Sequence, residues 1–187
     1  MGVKDMTMND PTLRCHPSGR RISLLNPTLE QIHITDIAHH LSLMPRYLGG
    51  TEKAYNNAQH SWFISMNAGK SFELAALLHD AAEYATGDLP GQFKHLPGME
   101  FYLEVQNRIH IKIMQKFGID WTEELRQYIH TLEKSLFPWE EYLVGRGTLP
   151  DWEEFPQMDT IWTSGIAERK FMKRFQLLFK DTESEAL

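Results

Sequence analysis

The sequence predicts an all-α fold in a single domain, and three observations support that prediction. Apolar residues recur at helical spacing along most of the chain, most clearly at every fourth residue from Phe101 to Phe117. Capping side chains and glycines mark where these segments begin and end. The length of 187 residues suits one domain, because a chain of this size buries roughly 70% of its unfolded surface and needs no cross-links.

The amino-terminal part of the chain is predicted to be mostly irregular. Residues 1–18 are polar and rich in turn-forming residues, which predicts a flexible lead-in to a domain that spans residues 19–187. Residues 21–25 alternate briefly between polar and apolar before Asn26-Pro27, which predicts one short extended segment. One such segment leaves the all-α class unchanged.

The rest of the chain is predicted to form helices joined by loops. The residues that can cap the starts of helices are Thr35, Asn57, Ser71 and Thr122. The residues that are expected to end helices are Pro45, Gly87 and Gly118. The predicted helices cover about residues 36–42, 58–69, 72–85, 101–117, 123–142 and 159–180, with irregular connections at 46–57 and 145–156. Trp62, Phe101 and Trp162 are predicted to lie in the core.

Composition and charge exclude several classes of protein. Cys15 is the only cysteine, so neither an intrachain disulfide nor a cysteine-rich zinc site can form, which favours a reducing compartment and predicts a cytoplasmic protein. No apolar run has the length of a signal peptide or of a membrane span, so we expect no membrane association. The formal net charge of −6 lacks the basic excess that nucleic-acid binding requires, so no nucleic-acid partner is expected.

Three polar residues lie within an apolar helical segment. His79, Asp80 and Glu83 interrupt a run of alanines and leucines, and the spacing of three and four residues would place them on adjoining faces of one helix. Burial of such groups is costly unless they are paired, hydrogen-bonded or bound to a metal. This segment alone leaves a metal or catalytic site and a hydrogen-bonded polar cluster equally open.

Two further residues favour the metal interpretation. His60 precedes the segment and Glu133 follows it, each on a predicted helix that could face the first. An isolated histidine on an apolar helix is more often a satisfied core residue than a ligand, so neither residue is decisive alone. Together with His79 and Asp80 they form a mixed nitrogen and oxygen set that suits Mn, Co, Fe, Ni or Zn.

The arrangement of His60, of Leu77-Leu78-His79-Asp80 and of a carboxylate on a later helix resembles the HD-domain phosphohydrolases. The chain is most similar to a phage and prophage branch that contains 5′-nucleotidase-like proteins and phage dATP triphosphohydrolases. The resemblance runs from Arg20 to about Glu140 and is most specific between His79 and Lys94. The further matching segments are residues 36–42, 46–47 and 55–61.

The resemblance implies an HD-domain helical bundle and a function. It implies a divalent metal ion, of which Zn, Mn, Co, Fe, Ni and Mg are candidates, and homo-oligomers. The expected substrate is a small nucleotide, with release of triphosphate from a dNTP, dATP being favoured, or of phosphate from a deoxynucleoside 5′-monophosphate. The residues that it implies as metal ligands are His60, His79, Asp80 and Glu133.

Other residues are expected to position the attacking water or to contact the substrate. The resemblance implies that Glu83 and Asp88 position or deprotonate the attacking water, although Asp88 alone would read as a turn residue. Arg46 and Lys94 are candidate phosphate clamps, because a guanidinium binds phosphate through two donors and an ammonium acts as a point charge. Tyr55 and Tyr47 could each stack on a base or pack in the interior, and Tyr55 is the candidate for contact with the substrate.

The sequence departs from the family at two positions. Glu133 stands where the family has Asp followed by a basic residue, with Glu140 keeping the family's spacing of seven residues. Gly50 stands where relatives often have His. A degenerate site with a binding or regulatory role is therefore one alternative, and a di-iron oxygenase that uses His95 or His110 is another. A zinc deaminase is excluded because it needs a second cysteine.

Overall fold

The structure is a computed structural model that describes residues 11–151 and 158–185, with side chains described as far as residue 180. The strands and α-helices in chain order are β1 Thr12–Arg14, β2 Arg21–Ser23, α1 Ile34–Leu43, α2 Asn57–Asn67, α3 Glu73–Leu78, α4 Glu83–Thr86, α5 Gly91–Lys94, α6 Glu100–Lys116, α7 Glu123–Leu143 and α8 Ser164–Glu185. Single helical turns cover Leu29–Gln31 and Lys70–Phe72, and a turn with left-handed backbone at its two central residues covers Arg46–Gly49. The predicted all-α fold in one domain is confirmed.

The two strands form an antiparallel ribbon that is larger than the predicted extended segment. Leu13 pairs with Ile22, and Cys15, which follows β1, is only 1% exposed. The prediction of a flexible lead-in over residues 1–18 therefore does not hold for Thr12–Cys15, because β1 pairs with β2 and Cys15 is buried in the core. Residues 1–10 lie outside the described residues.

Helix α2 lies at the centre of the bundle and packs against α1, α3, α7 and α8. On one side it borders a core of side chains from α1, α3, α6 and α8, and on the other a core from α3 and α7. Its first turn is capped by Asn56, whose side chain accepts from the backbone N–H of Gln59. The cap was predicted one residue later, at Asn57, but the Asn57 side chain donates to Glu83 instead.

The predicted helix over residues 72–85 is not continuous. Helix α3 ends at Leu78 and α4 begins at Glu83. The turn between them is held by hydrogen bonds between residues three apart, such as Glu83 N–H to Asp80 O at 3.0 Å. The side chain of His79 donates from Nδ1 to the carbonyl of Ala76 at 2.7 Å, the acceptor that a continuous helix would offer to Asp80 N–H. His79 and Asp80 therefore lie in a turn, which the helical spacing did not predict.

The last two long helices follow the prediction more closely. The Thr122 side chain caps α7 by accepting from Leu125 N–H, as predicted. Helix α8 begins at Ser164, later than the predicted start near residue 159, and buries Phe171 and Phe175. Phe101 was predicted to lie in the core but is 62% exposed, because it stands in the first turn of α6 beyond the buried stripe.

Within the described ranges, no helix combines the length and the apolar character needed to cross a bilayer.

The buried side chain of His110 leads to a prediction of how the stability of the fold depends on pH. The side chain lies on α6 against Trp121, and its Nε2 is a buried atom with no hydrogen-bond partner among the described residues. Burial first, and then the charge of His79, lower the pKa of His110 from 6.5 to about 4. The unfolded chain therefore binds this proton more readily, and the folded protein loses stability as the pH falls from about 6.5 toward 4.

His110→Leu should remove about 2–3 kcal/mol of that loss, because each unit of pKa difference corresponds to about 1.4 kcal/mol. Urea denaturation of the wild type and the variant at pH 7 and pH 4.5 measures the difference. An equal fall in stability for both proteins would show that His110 is not the group responsible.

Candidate metal centre

Four side chains from three separate segments meet at one point of the bundle. They are His60 from α2, His79 and Asp80 from the turn after α3, and Glu133 from α7. One nitrogen or oxygen atom from each lies within 4.8 Å of the others, a spacing that could hold a metal ion. The structure thus brings together all four residues predicted as ligands.

The contacts within the cluster show which atoms face its centre. Nε2 of His60 lies 3.5 Å from Asp80 Oδ2 and 3.3 Å from Glu133 Oε1. Nε2 of His79 lies 3.2 Å from Asp80 Oδ2 and 3.3 Å from Glu133 Oε1. The Glu133 oxygen that reaches both imidazoles belongs to the side chain that is one methylene longer than the family's Asp, so the added length does not remove it from the cluster.

The outer nitrogen of each imidazole is held by a different acceptor. His79 Nδ1 contacts the Ala76 carbonyl at 2.7 Å, and since a carbonyl only accepts, this nitrogen carries a proton, which leaves Nε2 as the nitrogen that could coordinate a metal ion after losing its own proton. His60 Nδ1 lies 2.6 Å from Glu140 Oε1. Glu140 is 2% exposed and was noted in the sequence only for its spacing from Glu133.

The electrostatics of the cluster favour positive charge at its centre. Burial disfavours an imidazolium at His79, but Asp80 and Glu133 raise the pKa of His79 well above its ordinary value. Burial likewise opposes ionisation of Glu133, yet the charge and hydrogen bonds of the two histidines hold its pKa well below the ordinary value. A divalent cation bound by neutral imidazoles would supply the same positive charge to the two carboxylates.

A cavity of about 970 Å³ opens beside the cluster. Its wall includes both carboxylates of the cluster, Asp80 and Glu133, and the predicted residues Arg46, Glu83, Asp88 and Lys94. The Arg46 side chain is 15% exposed, its nearest anion is Asp80 Oδ2 at 3.5 Å, and its Nε is buried with no hydrogen-bond partner in the described part of the chain. This guanidinium is therefore incompletely paired, and because Nε is buried, only its terminal nitrogens can face an anionic ligand.

Glu83 is engaged at both oxygens. Lys94 Nζ donates to Oε1 at 3.0 Å and Asn57 Nδ2 donates to Oε2 at 2.6 Å. Burial, followed by the charges of Asp80 and Asp88, raises the pKa of Glu83 to about 8, and burial also raises the pKa of Asp88. The Lys94 ammonium is thus partly neutralised by Glu83, a pairing that spacing along the chain does not predict.

Tyr55 lies elsewhere than predicted. The side chain is 1% exposed, packs in the core with α2 and α7, and donates its hydroxyl hydrogen bond to Glu140. It lies behind His60 and is not among the residues that line the cavity beside the cluster. The expected contact of Tyr55 with a base is therefore corrected to an internal contact, because its hydroxyl finds a buried acceptor.

The cavity is also lined by Phe137 and Arg146, which were not predicted as site residues, and by Tyr47, for which the sequence left stacking on a base and packing open. Tyr47 and Leu48 have φ of 56° and 54°, a conformation that is costly for side chains of this size. Arg146 holds this loop by donating to Gly50 O at 2.8 Å and by lying 4.8 Å from the centre of the Tyr47 ring. Backbone strain beside a cavity is a frequent mark of function, but spacing along a sequence does not show it.

The fold and the cluster together define an all-α protein with a candidate metal centre beside a large cavity lined by charged, aromatic and apolar residues. No family model matches the chain. It is 39% identical to an uncharacterized protein of Rhodobacter capsulatus, over 54% of this chain and 56% of that protein. It is 33% identical to the uncharacterized protein YfdR of Escherichia coli, over 48% and 49% respectively. The chain thus spans about half the length of the curated relatives it matches.

The cluster predicts stabilisation by metal. Adding Mn²⁺, Co²⁺ or Zn²⁺ should raise the midpoint of thermal unfolding, because a ligand of the folded state at 100 times its dissociation constant adds about 2.7 kcal/mol. His79→Ala should abolish the shift without changing the helix content measured by circular dichroism. His39→Ala, which changes a histidine on α1 outside the cluster, is the control that should keep it. An equal shift in the His79 variant would place the metal elsewhere.

Proposed function

We propose that this protein is a divalent-metal-dependent phosphohydrolase of the HD superfamily that acts on nucleotides. The observation that carries the proposal is the cluster of His60, His79, Asp80 and Glu133 at the wall of a cavity that also presents an incompletely paired guanidinium, Arg46. A metal site and a partly paired cation beside one cavity suit a ligand that carries phosphate.

The donor set fits a metal of the proposed kind. Two imidazole nitrogens and two carboxylate oxygens suit borderline divalent ions such as Mn, Co, Fe, Ni or Zn, and four protein ligands leave room for water or a phosphate oxygen. When bound, such an ion would neutralise phosphate charge and acidify water. The other steps fall to the residues of the chain.

Two of the polar residues that line the cavity can bind phosphate, and two others can orient water. Arg46 can bind phosphate through its free donors, and Lys94 contributes positive charge at the same wall although it also contacts Glu83. Asp88, and Glu83 in its ionised form, line the cavity and can accept a hydrogen bond from the attacking water and orient it. Since phosphoryl transfer depends mostly on charge neutralisation and alignment, these residues suffice for hydrolysis without a covalent intermediate.

The aromatic wall of the cavity, formed by Tyr47 and Phe137, supports the proposal that the substrate is a nucleotide rather than a simpler phosphate ester. Tyr47 and Phe137 lie in the same cavity with ring centres 6.4 Å apart, and Phe137 is 43% exposed. An exposed aromatic face beside a phosphate-binding region can stack on a base. Among triphosphates the resemblance to the phage enzymes favours dATP, cleaved to deoxyadenosine and triphosphate, and hydrolysis of a deoxynucleoside 5′-monophosphate is the other reaction that it implies.

A metal-supplemented screen of nucleoside mono- and triphosphates tests this function. With Mn²⁺, Co²⁺, Mg²⁺ or Zn²⁺ present, we expect release of triphosphate or phosphate, resolved from pyrophosphate by ion chromatography. His79→Ala and Asp80→Ala should abolish turnover while retaining the fold. Metal-loaded protein that hydrolyses no nucleotide would instead support a binding or regulatory role, and two bound irons per chain would support the oxygenase alternative.

Removal of the aromatic wall should affect nucleotides selectively. Phe137→Ala is expected to raise KM for the preferred nucleotide about fivefold or more, because stacking of a base on an aromatic ring contributes about 1–3 kcal/mol. The inhibition constant of inorganic tripolyphosphate, which has no base, should stay unchanged. Phe101→Ala removes a comparably exposed ring outside this cavity and is the matched control. An unchanged KM for Phe137→Ala would remove Phe137 from the base site.

A further inference from the structure

Glu140 is a buried carboxylate that contacts the metal cluster from behind. It lies on α7 seven residues after Glu133, which is about two helical turns and places both side chains on the same face of the helix. Glu140 is 2% exposed and is not among the residues that line the cavity beside the cluster. Its position therefore excludes direct contact with a ligand in that cavity.

The His60 ring spans the distance between the two carboxylates of α7. Nε2 lies 3.3 Å from Glu133 Oε1, and Nδ1 lies 2.6 Å from Glu140 Oε1. The same Glu140 oxygen accepts the hydroxyl hydrogen of Tyr55, which is itself 1% exposed. Two donors thus converge on one oxygen of a carboxylate that water does not reach.

We infer that Glu140 is a positioning residue: its carboxylate accepts the Nδ1 proton of His60 and thereby keeps the Nε2 lone pair directed at the centre of the metal cluster. The inference rests on the proposed metal centre. A histidine ligand coordinates through an unprotonated nitrogen, and a hydrogen-bond acceptor at the other nitrogen fixes both the ring orientation and the site of the proton.

His79 shows why Glu140 is the informative residue. The Nδ1 proton of His79 is held by the backbone carbonyl of Ala76, which no substitution of a side chain removes. For His60 the same task falls to a side chain, and a carboxylate is a stronger acceptor than a carbonyl because the hydrogen bond is charge-assisted. Tyr55 in turn orients the carboxylate and compensates part of its burial.

Glu140→Gln tests the inference, because glutamine fills the same volume but offers an uncharged, weaker acceptor. The dissociation constant for Co²⁺, measured by isothermal titration calorimetry, should rise about 10- to 100-fold, the range typical of lost outer hydrogen bonds at metal sites. Glu124→Gln, an exposed change of the same type on α7, is the matched control and should leave the affinity unchanged. An affinity for Co²⁺ in Glu140→Gln equal to that of the wild type would overturn the inference.

A second measurement needs no variant. In wild-type protein loaded with Zn²⁺ and labelled with ¹⁵N at histidine, NMR should show that His60 carries its proton on Nδ1 and that this proton exchanges slowly with water. A proton on Nε2 would overturn the inference even if Glu140→Gln failed to fold. If the wild type binds no metal at all, the proposed metal centre fails together with the inference, whereas an unaltered affinity in the variant defeats only the role of Glu140.

Discussion

The arrangement of the bundle depends on polar side chains of α2 that are buried and bonded to other elements. His60 contacts α7 at both ring nitrogens, and Asn57 donates to Glu83 at the start of α4. Gln59 donates to the carbonyl of Thr160 and accepts from Trp162 N–H, which fixes the segment before α8. Because an unpaired polar group in this environment costs about 1–3 kcal/mol, the helix cannot shift without loss of several such bonds at once.

This constraint explains how residues far apart in the chain form one site. The first turn of α2 carries both Asn57 and His60, so one rigid segment holds Glu83 at the cavity wall and one imidazole in the metal cluster. Ser65, two turns further along, accepts from Arg174 of α8 and donates to the carbonyl of Glu73 at the start of α3. The position of α3 in turn determines where its final turn presents His79 and Asp80.

Much of the fold was predictable from the sequence because helix periodicity and end signals are local. Gly87 and Gly118 adopt positive φ at the predicted helix ends, and Thr122 caps α7 as expected. The break after Leu78 was not predictable, because the side chain of His79 competes for a carbonyl within its own helix. The proximity of the four cluster residues followed from their resemblance to a family. The burial of Tyr55 behind His60 depends on packing that neither spacing nor resemblance contains.

The contact between Gly50 and Arg146 links two positions that are 96 residues apart in the chain. A Cβ atom at position 50 would lie 3.2 Å from the Tyr47 carbonyl oxygen and 3.5 Å from the Arg146 guanidinium, so a longer side chain there would extend into space bordered by the arginine. A substitution at position 50 is therefore expected to shift Arg146 and to reshape the edge of the cavity, whereas the four residues of the metal cluster lie on α2, on α7 and in the turn after α3.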